Sequence, residues 1–157
     1  MERSDSVVII PTYNEKENIE NIIRAVLGLK EHAFHILIID DGSPDGTAAI
    51  VKRLMADEFK NELHLVERKG KLGLGTAYIA GFKWAIEHGY DYIFEMDADF
   101  SHDPNDLPRL YNACANEGYD VAIGSRYVTG VNVVNWPMGR VLMSYYASKY
   151  VRFVTGV

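Results

Sequence analysis

The sequence predicts an α/β protein with a predominantly parallel sheet that is covered by helices on both faces. Two observations lead to this prediction. Short apolar runs rich in β-branched residues alternate along the chain with longer segments whose apolar residues recur at helical spacing. Polar and acidic segments follow directly after most of the short runs. Alternation at this spacing is typical of parallel sheets, whose ligands bind beyond the carboxyl ends of the strands.

The short apolar runs are predicted to be buried strands, because strands buried on both faces of a parallel sheet are short, continuous apolar stretches. The five predicted strands cover residues 6–10, 34–39, 63–66, 92–96 and 121–123.

Five segments are predicted helices. Asn14 and Glu17 resemble a capping box and place the start of the first helix before the apolar positions between 19 and 27. Asp103 and Pro104 are a natural N-cap and first turn for a helix that runs to about Asn116. The other predicted helices run from 47 to about 57, from 74 to about 87, and over 136–153.

Length, composition and charge limit the classes of protein that are possible. The 157 residues predict a single domain, 1–157, and 48% hydrophobic with 24% charged residues is typical of a globular protein. A single cysteine excludes a disulfide framework. A net charge of −6 argues against a nucleic-acid partner. Neither a signal peptide nor an apolar stretch of about 18 residues is visible, so we expect a cytoplasmic location.

Four of the five predicted strand ends carry acids, an aromatic residue or an arginine. If the sheet is parallel, these segments converge on one edge, and this convergence is stronger evidence for a site than any one motif. The segments are residues 11–15, 40–46, 97–99 and 124–127.

Asp97 and Asp99 leave the fourth predicted strand with one residue between them. Carboxylates in this arrangement can approach one Mg²⁺ or Mn²⁺ ion, whose other ligands are commonly substrate phosphates. An isolated Asp-X-Asp is more often a solvated turn, but the neighbouring motifs favour a metal site here. After the second strand, Asp41 is suited to accept hydrogen bonds from a base or ribose, while Gly42 and Gly46 shape the turn.

Three further features have two interpretations each. Gly73 and Gly75 form an incomplete dinucleotide fingerprint, and a tight turn with close helix packing is the favoured explanation. Arg126, the only base found at the predicted edge, either binds phosphate or pairs with a neighbouring acid. For His102, a hydrogen-bonding loop histidine is favoured over a metal ligand.

Taken in order and spacing, these motifs resemble glycosyltransferase family 2, with its GT-A (Rossmann-like) nucleotide-sugar-binding fold. The closer resemblance is to the dolichyl-phosphate (polyprenyl-phosphate) mannose synthase group, and it covers nearly the whole chain. The motifs are VIIPTYNE at 8–15, IIDDGSPDGT at 38–47, KLGLGTAYIAG at 71–81, MDADFSHDP at 96–104 and GSRY at 124–127.

The resemblance implies a metal-dependent, inverting transfer of mannose from GDP-mannose to a dolichyl or polyprenyl phosphate. The lipid phosphate is already an anion, so in-line attack needs no strong general base. The alternatives are a UDP-glucose-dependent glucosyltransferase and a nucleotide-binding fragment without turnover. A nicotinamide-dependent oxidoreductase is disfavoured by the incomplete glycine fingerprint.

The resemblance also implies roles for individual residues. Those that would line the guanosine pocket are Pro11, Tyr13, Glu15, Ile39 and Asp41. The nucleotide sugar would contact Ala98 and Asp99, with Ser101 close by, and the metal would be held by Asp97 and Asp99. Arg126 would meet phosphate, and the catalytic set would be Asp97, Asp99 and Arg126.

The resemblance departs at the C-terminus, because family members continue beyond this point; an acceptor-side segment is therefore expected to be missing here. Residues 136–157 contain five aromatic residues, three basic residues and no acid. Such a helix either lies on a bilayer surface, peripheral at the cytoplasmic face of a membrane, or packs against the missing segment. The sequence leaves both possibilities open.

Overall fold

The computed structural model describes residues 4–125 and 137–156. The chain divides into two compact units, Met1–Ala122 and Ile123–Val157. The first unit contains a sheet of four parallel strands in the order β3-β2-β1-β4. The strands are β1 (Ser6–Thr12), β2 (His35–Asp40), β3 (Leu63–Glu67) and β4 (Tyr92–Glu95).

Helices cover both faces of this sheet, as the sequence predicts. On one face, apolar side chains of β1 and β2 form a core with α1 (Ile19–Leu27), α2 (Thr47–Asp57) and α4 (Leu107–Ala115). On the other face, the alternate side chains of the same strands pack against α3 (Leu74–Glu87). A short 3₁₀ helix, Pro104–Asp106, precedes α4, and Asp103 caps it by accepting a hydrogen bond from the Asn105 N–H at 3.0 Å. The parallel α/β prediction is confirmed.

Strand β1 runs two residues further than predicted, through Pro11 to Thr12. Proline lacks an N–H and is normally excluded from central strands. The Ile9 carbonyl accepts from the Met96 N–H on the β4 side, and the Thr12 carbonyl accepts from the Asp41 N–H on the β2 side. By this alternation Pro11 faces the β4 side, where the ladder has already ended at the Ile9 and Glu95 pair. The missing N–H therefore costs no sheet hydrogen bond.

Helix α3 lies very close to β1 at Gly81. A Cβ atom at this position would stand 2.6 Å from Ile9 Cγ2 and 2.9 Å from Ile9 Cδ1, well inside van der Waals contact. Ile9 is fully buried in the central strand. Close helix packing was predicted for Gly73 and Gly75, and this is wrong, because a Cβ atom at either position would meet nothing within 4 Å; the close approach lies further along the helix, at Gly81. It sets the distance of the N-terminal turns of α3 from the strand ends.

Two sequence-based expectations are wrong. The predicted strand over 121–123 has no regular structure, and Val121 and Ile123 are 72% and 84% exposed, because three apolar residues before Gly124 find no strand to pair with. The predicted capping box at Asn14 does not form. Helix α1 begins at Ile19 after Asn18, whereas Asn14 has a φ of 61° and lies in a separate turn.

The second unit contains α5 (Met138–Thr155), which matches the helix predicted there. Its Lys149 Nζ lies 4.7 Å from the centroid of the Tyr145 ring, one turn earlier. Among the helices of the described ranges, none is long and apolar enough to cross a membrane.

Candidate functional site

A cleft of about 230 Å³ opens at the carboxyl edge of the sheet. The strand order reverses its direction between β1 and β4, so the loops that follow these two strands diverge and leave a crevice. The cleft lies at this point. Its walls come from the loops after all four strands and from the start of α3: Pro11, Thr12, Tyr13, Glu15, Asp41, Lys71, Leu74, Ala77, Asp97, Ala98 and Asp99.

The two adjacent acids at the end of β2 do different things. Asp40 is 1% exposed and its carboxylate accepts hydrogen bonds from the Thr12 hydroxyl at 3.0 Å, the Ser43 N–H at 2.9 Å and the Ser43 hydroxyl at 2.6 Å. It ties the end of β1 to the loop after β2. Asp41 lines the cleft instead. Gly42 and Gly46 have φ angles of 69° and 93°, so the prediction that they shape this turn is confirmed.

The loop after β2 also fixes the loop after β1. Three consecutive N–H groups, those of residues 14–16, donate to side chains of the β2 loop. Their acceptors are Ser43 Oγ at 3.0 Å, Thr47 Oγ1 at 3.1 Å and Asp45 Oδ2 at 3.0 Å. Because backbone groups are held, the positions of the Tyr13 and Glu15 side chains on the cleft wall depend on polar residues that lie outside it.

Arg68 is a functional candidate that the sequence-based analysis missed. Its guanidinium forms a two-point ion pair with Asp41, with Nε–Oδ1 at 2.5 Å and Nη2–Oδ2 at 2.8 Å. The two side chains are 10% and 9% exposed. The Arg68 N–H donates to the Asp40 carbonyl at 2.7 Å, which places the arginine beside Asp41. The donor fork of Arg68 is directed at Asp41, and of the two side chains only that of Asp41 lines the cleft, so the arginine fixes the orientation of the carboxylate there.

Lys71 lies on the cleft wall, so the prediction that this edge carries no base other than Arg126 is wrong. The Lys71 Nζ lies 4.8 Å from the centroid of the Tyr13 ring, and both side chains line the cleft. The contact is a cation–π interaction. The lysine places a positive charge among the acidic side chains of the cleft wall, which are Glu15, Asp41, Asp97 and Asp99.

The turn after β4 carries the two predicted metal ligands. The Ser101 N–H donates to Asp99 Oδ1 at 2.9 Å in an Asx-type turn, and the intervening Phe100 has a φ of 59°. Hydrogen bonds from the Ser101 backbone and side chain, and the nearby His102, hold the pKa of Asp99 below its usual value. Asp99 is therefore ionised at neutral pH. His102 Nδ1 accepts from the Asp97 N–H at 3.3 Å, as expected for a hydrogen-bonding loop histidine.

The carboxylates of Asp97 and Asp99 suit a metal site that a substrate completes. No group of three or more potential protein ligands comes together in residues 4–125 or 137–156, so a cage made by the protein alone is not formed there. Two carboxylates on the cleft wall suit Mg²⁺ or Mn²⁺, which commonly bind one or two carboxylates and take further oxygens from substrate phosphates. Four acids around one small cleft also favour a divalent cation over a bare anionic ligand.

The structure brings seven of the predicted site residues together and leaves two of the described ones outside the cleft wall. Pro11, Tyr13, Glu15, Asp41, Asp97, Ala98 and Asp99 all line the cleft. Ile39 is fully buried in the core between β2 and α3, and Ser101 is exposed behind Asp99. Arg126 lies outside the described residues. Ligand contact by any of these ten residues remains a prediction.

Comparisons with known proteins identify the family of the chain. Residues 7–155 match the family model described as glycosyl transferase family 2. The chain is 49% identical over 156 residues to a polyprenol monophosphomannose synthase of Mycolicibacterium smegmatis, covering 97% of this chain and 56% of that protein. It is 42% identical over 151 residues to an undecaprenyl-phosphate mannosyltransferase of Micrococcus luteus, covering 96% and 60%.

A solved structure shares the fold. Glucosyl-3-phosphoglycerate synthase from Mycobacterium tuberculosis superposes with a TM-score of 0.51 at 22% identity, covering 72% of this chain and 40% of that one. The chain spans little more than half the length of the two curated relatives. The family model, in contrast, matches nearly all of it. The chain belongs to glycosyltransferase family 2.

Proposed function

We propose that this chain is the nucleotide-sugar-binding part of a metal-dependent, inverting glycosyltransferase that moves mannose from GDP-mannose to a polyprenyl or dolichyl phosphate. The observation that carries the proposal is the cleft between the ends of β1 and β4. There the acidic turn, residues 97–99, faces the loops after β1 and β2, which hydrogen bonds hold together. Membership of the family supports glycosyl transfer. Relatives that are named mannose synthases and mannosyltransferases support the donor sugar and the lipid acceptor.

The nucleoside is assigned to the part of the cleft formed by the loops after β1, β2 and β3. Asp41 lines this part of the cleft, and its carboxylate, held in place by Arg68, offers acceptor oxygens that suit the edge of a base. The Tyr13 ring, 38% exposed and covered by Lys71, supplies a flat apolar surface beside it. Pro11 and Glu15 complete this side.

The diphosphate is assigned to the turn after β4. Asp97 and Asp99 are the groups that would hold Mg²⁺ or Mn²⁺ against it, and the hydrogen bond from the Ser101 N–H holds the Asp99 carboxylate in place. When bound, such an ion acts as a Lewis acid and stabilises the charge of the departing nucleoside diphosphate. Lys71 adds a fixed positive charge within the same cleft.

The proposal assigns no general base, because the acceptor is already charged. A lipid monophosphate is an anion at neutral pH, so attack on the anomeric carbon requires positioning of the acceptor more than removal of a proton. In-line attack inverts the anomeric centre and gives a β-linked product from an α-linked donor. Arg126 is the residue that the sequence offers for holding phosphate of donor or acceptor.

A lipid acceptor also requires a membrane surface, and we assign this contact to α5. Tyr and Trp favour the interface between water and lipid, and basic residues are attracted to anionic head groups. Residues 137–156 contain three tyrosines, three basic residues and no acid. The protein would then be peripheral at the cytoplasmic face of a membrane.

Thermal unfolding with GDP, UDP and NAD, each with Mn²⁺, tests the proposed donor. A ligand at a hundredfold excess over its Kd stabilises the native state by about 2.7 kcal/mol. For a chain of this size that is about 5–10 °C in Tm. GDP is expected to give the larger shift and NAD none. A larger shift with UDP would favour the glucosyltransferase instead, and a shift with NAD alone would contradict the proposal.

A further inference from the structure

Tyr78, on the second turn of α3, contacts the acidic turn through Asp97. Its hydroxyl donates to Asp97 Oδ1 at 3.3 Å. Its ring is half-buried and packs beside Phe82, the residue one turn later, with ring centroids 6.4 Å apart. The side chain is not part of the cleft wall. Tyr78 therefore touches a predicted metal ligand without lying on the surface that a substrate would contact.

The Tyr78 hydroxyl acts as the donor of this pair. A hydroxyl within hydrogen-bond distance of a carboxylate oxygen directs its proton at that oxygen, here Asp97 Oδ1.

The two acids of the turn are held in different ways. The Asp99 carboxylate is fixed within its own loop by Ser101. The Asp97 main chain is bonded to His102, but the hydrogen bond to its carboxylate comes from Tyr78, and within the described ranges no other group donates to it. Asp97 thus depends on α3 for its orientation, and α3 is itself fixed against β1 at Gly81.

We propose that Tyr78 is a positioning residue, which orients the Asp97 carboxylate for the divalent cation of the donor complex. The inference rests on the metal role given to Asp97 under the proposed function. Groups that hydrogen-bond to metal ligands commonly change metal affinity by about 10–100-fold when they are removed. The 3.3 Å contact is long for a hydroxyl donor, so we expect the lower end of this range.

The test is a titration of Mn²⁺ at fixed GDP, followed by calorimetry, with wild type and Tyr78→Phe. The variant keeps the ring and its packing but loses the hydroxyl. We expect the Mn²⁺ concentration for half-maximal GDP binding to rise about tenfold, while GDP affinity at saturating Mn²⁺ stays within about twofold, because the base contacts are unchanged. Tyr78→Met, which also removes the hydroxyl, should give the same rise and serves if the first variant folds poorly.

Tyr111→Phe is the matched control. It removes a tyrosine hydroxyl that donates to a carboxylate, Asp5 Oδ2 at 3.0 Å, beside the amino end of β1 and away from the cleft. Its Mn²⁺ requirement should equal that of wild type. An unchanged or lower requirement in Tyr78→Phe, or an equal rise in both variants, would overturn the role of Tyr78 alone. If the GDP affinity of wild type is the same with and without Mn²⁺, the metal site and this inference are both overturned.

Discussion

The close approach of α3 to β1 at Gly81 gives a sharp prediction about stability. Gly81→Ala would place a methyl group 2.6 Å from Ile9 Cγ2, whereas ordinary carbon contacts are about 3.5–4.0 Å. Ile9 is fully buried in the central strand and has no open space to enter. The helix must therefore move away from the sheet, or the strand must distort.

The magnitude follows from comparison with a second glycine of the same helix. At Gly75 a methyl group would have no other atom within 4 Å, so Gly75→Ala gains helix propensity, at most about 1 kcal/mol, without a clash. Gly81→Ala gains similarly but also overpacks the core, which costs about 1–3 kcal/mol. We expect Gly81→Ala to be less stable than Gly75→Ala by about 2 kcal/mol, or about 4–8 °C in Tm.

Urea unfolding of both variants, with Ile9→Ala as a third background, measures this difference. If the clash with Ile9 is the cause, Gly81→Ala should lose its penalty when Ile9 is already Ala, and the double-mutant cycle should show coupling of about 1 kcal/mol or more. Equal stability of the two glycine variants, or a penalty that persists without the Ile9 side chain, would refute the close packing of α3.

Three further predictions concern the loops, the cleft and α5. Asp40→Ala removes the acceptor of the buried Thr12 hydroxyl and of two half-buried Ser43 donors, and should lower the free energy of unfolding by about 3 kcal/mol. Chemical denaturation measures this loss, and a value below about 1 kcal/mol would contradict the structural role. Lys71→Ala removes a charge from the cleft and should weaken GDP binding about tenfold by calorimetry, whereas the same change at the exposed Lys69 should not. Co-sedimentation with anionic liposomes should rise with anionic lipid, fall with salt and vanish when the three basic residues of α5 become Glu; absence of sedimentation at low salt would leave α5 as a packing helix.

The strands and helices of the first unit were predictable because their burial is visible in the sequence. Strands buried on both faces are continuous apolar runs, and the helices around them show apolar residues at helical spacing. The errors fall where local pattern and tertiary context disagree. Asn14 has the residue type of a cap, but three side chains of the next loop hold this segment in another conformation. The run over 121–123 has strand composition without a strand partner.

The acids of the candidate site were visible in the sequence because they follow buried strands, but Arg68 and Lys71 were not recognised as bases of the site. Arg68 lies between Glu67 and Lys69, and three charged residues in a row resemble a solvated loop. Only the pairing of β2 with β3, together with the bond from the Arg68 N–H to the Asp40 carbonyl, brings it to Asp41. The sequence analysis does select Asp41 rather than Asp40, and Asp41 is the one that lines the cleft.

The measurement that tests the proposed function most directly is calorimetry of GDP binding with Mn²⁺ and with EDTA, in wild type and in Asp99→Ala. Asp106→Ala, an exposed acid of the 3₁₀ helix outside the cleft wall, is the control. Wild type and the control should bind GDP at least about tenfold more tightly with Mn²⁺, a difference of about 1.4 kcal/mol, and Asp99→Ala should bind equally with and without it. If wild type binds GDP equally well in EDTA and Asp99→Ala matches it, the acidic turn is only a turn.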